Sequence, residues 1–183
     1  MKLAKIFTAL ALVCASAAAT AQNTGDLKPI PALEVERYLG RWHEIAKFPN
    51  RFQKKCVSDT SANYSLMPDG RLSVINRCRL QTGQMDQADG VARQVGGNSS
   101  ARLQVRFAPA WLSFLPMVWG DYWVIDLDER YELAAISEPQ REYLWILSRT
   151  PAVDEARYAA LLSRLAAMGL DVTKLEKTLQ SGQ

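Results

Sequence analysis

The tightest constraint on this chain is a pair of residues 107 positions apart, Trp42 and Arg149. Gly40-Arg41-Trp42 opens the first strand-like run. Arg149 closes the last one, Tyr143-Leu144-Trp145-Ile146-Leu147-Ser148-Arg149. A tryptophan opening a first strand and an arginine ending a last strand can meet only if the sheet curls shut. The guanidinium then lies across the indole and plugs one end of a barrel, a cation–π contact worth roughly 0.5–2 kcal/mol.

Between these markers the chain reads as short β runs separated by turn residues. The runs cover 40–48, 57–66, 72–80, 89–95, 101–108, 121–127, 131–138 and 143–149. The fifth alternates cleanly, with Leu103, Val105 and Phe107 set against Arg102, Gln104 and Arg106. Eight strands joined mostly by hairpins predict an all-β chain folded as an eight-stranded antiparallel up-and-down β-barrel, which has no open edge. A β-sandwich is the alternative, but it gives no reason for the Trp and the Arg to sit where they do. Beyond Arg149, Thr150-Pro151 and the acidic Asp154 and Glu155 suit a helix start. Tyr158, Leu161, Leu162, Leu165 and Met168 then share one face, and Gly169 is a natural stop. This predicts a C-terminal α-helix packed outside the barrel, with a further short helix within 171–180.

The start of the chain has a different character. Lys2 and Lys5 precede an apolar run, and Ala19-Thr20-Ala21 has the small-x-small pattern of a secretory cleavage site. The expected division is a signal peptide at 1–21, an N-terminal segment at 22–37 and one barrel domain at 38–183. Removing 21 of 183 residues leaves 162, ample for one core. The signal peptide takes two lysines and no acid with it, so the formal charge falls from +3 to +1. With that charge and no clustered basic stripe, no nucleic-acid partner is expected. The expected location is exported and periplasmic. Cys14, preceded by Val13 rather than by a small residue, offers lipid anchoring to the outer membrane as the alternative.

Cys56 and Cys78 would then lie in an oxidising compartment, where a disulfide is the default. A turn pairing Leu66 with Arg71 would set Cys78 opposite Asp59 and leave Cys56 roughly 10 Å further along its strand. That is too far unless Cys56 leaves the ladder. A bonded pair and two reduced thiols both remain open.

At this point the chain resembles the lipocalins, and among them the bacterial outer-membrane lipoprotein group. The resemblance rests on 38–52 (Tyr38-Leu39-Gly40-Arg41-Trp42 onward), 64–70, 74–77 and 142–151, in family order along most of the chain. Gly40 and Trp42 match the first family motif, Glu142 and Tyr143 the second, and Arg149 the third. The resemblance implies an eight-stranded calyx that binds fatty acids, lysophospholipids or similar apolar molecules, with no cofactor.

In an up-and-down barrel the loops after strands one, three, five and seven share one rim, and the Trp42–Arg149 plug lies near the other. The loop after strand five, 109–119, is almost wholly apolar, with Trp111, Leu112, Phe114, Leu115, Met117 and Trp119. Three readings fit: the loop caps its own barrel, it forms a mouth that touches ligand or membrane, or it makes a protein interface such as a homodimer. Alternation from Trp42 and Arg149 turns Tyr143, Trp145 and Leu147 inward with Leu103, Val105 and Phe107, joined by Tyr64, Val74, Tyr122 and Val124. Such a lining suits an acyl chain with its polar head near the mouth.

Catalysis finds little support. His43 is the single histidine and should face outward, and the two later cysteines lack zinc spacing. Neither a Gly-x-Ser-x-Gly motif nor a phosphate-binding glycine loop occurs. Asp126 and Asp128 read as turn formers. A barrel enzyme would have to use Asp126 or Glu44, and a membrane-surface adaptor using the 109–119 loop is a further alternative.

Overall fold

A computed structural model describes residues 25–181. The readings at 1–21, Cys14 included, fall outside the described residues. A short helix α1 (Val35–Tyr38) precedes eight strands: β1 (Gly40–Lys47), β2 (Cys56–Leu66), β3 (Leu72–Leu80), β4 (Met85–Gln94), β5 (Arg102–Arg106), β6 (Gly120–Leu127), β7 (Leu133–Ser137) and β8 (Leu144–Ser148). Each pairs antiparallel with the next, and β1 pairs with both β2 and β8, which closes the barrel. Helix α2 (Glu155–Ala167) and a two-residue strand β9 (Glu176–Lys177) follow. β4 begins four residues earlier than its polar composition suggested. Residues 85–89 are held by the ladder to β3 rather than by burial of an apolar face.

Alternation along β7 and β8 splits the core in two. Ala134, Ile136 and Leu147 join Trp42 and Tyr38 inside the barrel. Leu133, Ala135, Leu144 and Ile146 face the other way, onto Leu161 and Leu165 of α2. The helix starts where Asp154 accepts a hydrogen bond from the Arg157 N–H at 3.0 Å. It ends before Gly169, whose φ of +82° suits glycine. Arg164 binds Asp126 through two hydrogen bonds of 2.7 and 2.9 Å, which pins the helix to β6. Asp126 therefore does not form a turn; its carboxylate is taken up outside the barrel. Asp128 is a turn former, accepting from the Glu132 N–H at 2.7 Å.

The expected helix within 171–180 is replaced by a 3-10 turn at Val172–Lys174 and then β9. The reason lies in β1. Residues 40–43 pair with β2, but further along the two strands diverge and leave backbone groups without partners. The tail fills that seam. Thr178 N–H donates to Ile45 O at 2.9 Å, and Asp59 N–H donates to Leu179 O at 2.7 Å. The Gln180 side chain donates to both Glu44 O and Thr60 O. Ser181 N–H then donates to the Asp59 carboxylate at 2.6 Å.

Cys56 and Cys78 form a disulfide with a Cα separation of 5.5 Å. The β2–β3 turn pairs Leu66 with Leu72, not with Arg71, a register that by itself would set Cys78 opposite Thr60, one residue further from Cys56. Bulges between Cys56 and Ser61 then fit five steps of β2 against three of β3, and Asp59 adopts a φ of +55° there. Cys56 stays in the ladder, and the strand itself is shortened.

Candidate functional site

The floor of the barrel is built on Trp42, which is fully buried. The Arg149 guanidinium carbon lies 4.0 Å from the centre of its ring. Arg149 also donates to the carbonyls of Arg41, Arg37 and Tyr131 at 2.9, 2.8 and 3.2 Å, so each of its three nitrogens is engaged below the floor. The indole N–H of Trp42 donates to Tyr38 O at 2.8 Å, and the Tyr38 ring packs 4.7 Å from it on the barrel side. Gly40 turns into β1 with a φ of +90°, a backbone angle that glycine adopts without a Cβ penalty.

Above this floor lies a cavity of about 750 Å³, within the range of small-molecule sites. At its base the Tyr38 and Tyr64 hydroxyls each meet the Tyr122 hydroxyl, at 2.9 and 2.8 Å. Burial pushes all three phenols up, Tyr64 to about 12, so they stay protonated. Leu72, Val74, Ala92, Leu103, Val105 and Leu147 form the apolar wall above them.

Glu44 is among the carboxylates on the lining. It is buried and accepts from the Gln53 side-chain amide and the Thr178 hydroxyl, each at 2.5 Å. Burial raises its pKa against those two hydrogen bonds. Gln53 in turn accepts from the Trp145 indole N–H at 2.9 Å. The network thus ties the first mouth loop to β8 and to the C-terminal tail. His43 points away from the lumen, with Nδ1 3.3 Å from Gln180. No group of three or more His, Cys, Asp or Glu side chains is placed to hold a metal among the described residues.

The mouth is formed by the loops after β1, β3, β5 and β7, with Arg51, Phe52, Asp86, Met117, Glu138 and Tyr143 on its lining. Phe52, Tyr143 and Trp145 stack in sequence down one side, with ring centres 5.6 Å apart at each step. Gly90 on β4 makes room for Phe107, since a Cβ there would lie 2.7 Å from that ring. The 109–119 loop does not fold down as a lid. Trp119 anchors it, its ring 4.0 Å from the Arg93 guanidinium and 5.3 Å from the Arg106 one, with its N–H on Ser113 O. Trp111, Phe114 and Met117 are 72, 75 and 86 % exposed.

Of the residues chosen by alternation, Tyr64, Val74, Leu103, Val105, Phe107, Tyr122, Tyr143, Trp145 and Leu147 line the cavity, as does Trp119. Three do not. Val124 is sealed in the packed closed end, where its carbonyl accepts from Ile30 N–H. Trp111 and Phe114 project from the lip instead of lining the hollow. Sequence reasoning missed Tyr38 and Gln53. Neither lies on a strand, so no period-two pattern marks them. The nearness of Tyr38 to Trp42 was the one available signal.

A sealed floor, an apolar hollow and a single open rim define a barrel for one small apolar molecule. The chain belongs to the lipocalins: the family model described as a Lipocalin-like domain matches residues 33–180, and this family binds small hydrophobic ligands. The chain is 44 % identical to temperature-induced lipocalin-1 of Arabidopsis thaliana over 158 residues, covering 85 % of this chain and 84 % of that one. It is 38 % identical to outer membrane lipoprotein Blc of Escherichia coli K12 over 150 residues, covering 81 and 80 %. Insecticyanin of Manduca sexta superposes with a TM-score of 0.67 at 19 % identity over 86 % of each chain.

Proposed function

We propose that this protein binds a lysophospholipid or fatty acid and carries or stores it in the bacterial cell envelope, supporting membrane maintenance. The observation that carries this reading is the apolar cavity of about 750 Å³, open at one rim beside an exposed apolar lip. Its charged lining residues, Arg51, Lys55 and Arg77 among them, come from the mouth end, where an amphiphile's head would rest. The name of the Escherichia coli relative, an outer membrane lipoprotein, supports an envelope location. In this reading 1–21 is removed on export and the barrel works in the periplasm. A mature protein starting at Gln22 agrees with that, and a lipidated Cys14 would instead place it on the outer membrane.

The test is native mass spectrometry of protein purified from its own envelope. A bound acyl lipid recovered chemically unchanged is expected. A barrel that refuses every fatty acid and lysophospholipid probe overturns the reading, and chemical turnover of the bound lipid would replace it with an enzyme.

In the same reading the lip touches a membrane surface. Exposed Arg51, Lys54 and Lys55 stand on the same rim as Trp111, Phe114 and Met117, a combination suited to an anionic bilayer. Replacing these three apolar residues with serine should abolish flotation with phosphatidylglycerol vesicles while ligand binding persists. If flotation is unchanged and sedimentation instead shows a dimer becoming monomer, the lip is a self-association surface.

A further inference from the structure

The cavity has a polar group at each end, and the two ends differ in kind. At the mouth the polar residues include the charged Arg51, Lys55, Asp86 and Glu138. At the floor they are three phenols, Tyr38, Tyr64 and Tyr122, linked through two hydroxyl–hydroxyl contacts of 2.9 and 2.8 Å. Each phenol brings one proton. Two protons serve the two contacts, so the third is directed away from the trio. No other residue is a hydrogen-bond partner of these hydroxyls among the described residues. All three side chains line the cavity, and the walls just above them are aliphatic.

We infer that the floor is a recognition subsite for an uncharged oxygen, a ketone or hydroxyl carried near the end of the acyl chain that enters first. This rests on the carrier reading above and narrows its ligand to oxygenated chains. Charge at this position is disfavoured by the surroundings. The nearest cation, Arg149, lies beyond the Trp42 ring with each of its three nitrogens engaged by a backbone carbonyl. A carboxylate at the floor would be buried without a counter-ion, which is far costlier than burying a carbonyl that accepts one hydrogen bond. A plain hydrocarbon end leaves the third proton unmet, a smaller penalty. The site thus sorts ligand ends: charged head at the mouth, neutral oxygen at the floor.

The test uses displacement of N-phenyl-1-naphthylamine, a neutral fluorescent probe, by two chains of equal length. One is hexadecanoic acid, and the other carries a ketone beside its terminal methyl. The keto acid should displace the probe at about a two- to tenfold lower concentration. This advantage should vanish in the triple variant Tyr38→Phe/Tyr64→Phe/Tyr122→Phe. Removing all three hydroxyls together leaves no orphaned partner, and hexadecanoic acid should bind that variant at least as well. Equal displacement by both acids in the unaltered protein overturns the subsite and leaves the carrier reading standing. Failure of both to displace the probe overturns both. Should the triple variant not fold, infrared spectroscopy of the keto acid bound to unaltered protein decides. A carbonyl stretch shifted down from its position in hexane supports the subsite, and an unshifted one overturns it.

Discussion

Arg149 shows how much one side chain can join. It covers the Trp42 ring and donates to carbonyls from the segments before β1, within β1 and before β7. Arg149→Ala should cost about 2–4 kcal/mol, as the ring contact and charge-assisted hydrogen bonds are lost together; urea unfolding measures it. Glu44 makes a prediction of different sign. Burial raises its folded carboxyl above the ordinary 4.5, so the folded chain takes up this proton more readily than the unfolded one. The resulting contribution is fully present below pH 4.5 and is lost as pH rises through the raised value. Glu44→Gln should flatten that stretch of the stability profile and raise the urea midpoint at pH 7. Asp59 behaves oppositely. Hydrogen bonds from the Ser181 N–H and then from Arg79 lower it, so its contribution holds above its ordinary 3.8 and fades as pH falls. Legibility at this scale followed the backbone. Trp145 and Leu103 were found because strand alternation assigns their faces, whereas Gln53 reaches the lumen only through the fold of an irregular loop.

At the level of elements, α2 and the strands other than β4 were readable because turn residues and apolar spacing mark each one, whereas the first half of β4 is polar and is held by its ladder to β3. The apolar stripe of α2 is the outer core, and Leu161 at its centre is fully buried against β7 and β8. Leu161→Ala should cost about 2–5 kcal/mol in urea unfolding. The helix should remain in place through Arg164 and Asp126. β9 was not legible, and the cause is physical. Its sequence, Glu176-Lys177, has no strand character, and it is extended only because β1 and β2 part and leave an edge to be covered. The disulfide was undecidable for a related reason, since the bulges that shorten β2 leave no signature in residue spacing.

The disulfide belongs to the molecule as a whole, because a cross-link acts on the entire unfolded ensemble. It closes a sequence separation of 22 residues. On the chain-entropy account, reduction should lower global stability by about 3 kcal/mol, read as a parallel shift of the urea transition for every probe. The Cys56 end of that link lies in β2, the strand that borders the seam. Strands β2 to β6 pair with sequence neighbours, but β1 needs 144–148 on one edge and 176–180 on the other. The hollow is therefore walled only with residues 144–148 and 176–180 in place, which makes this late stretch of the chain as much a part of the container as the hairpins that precede it.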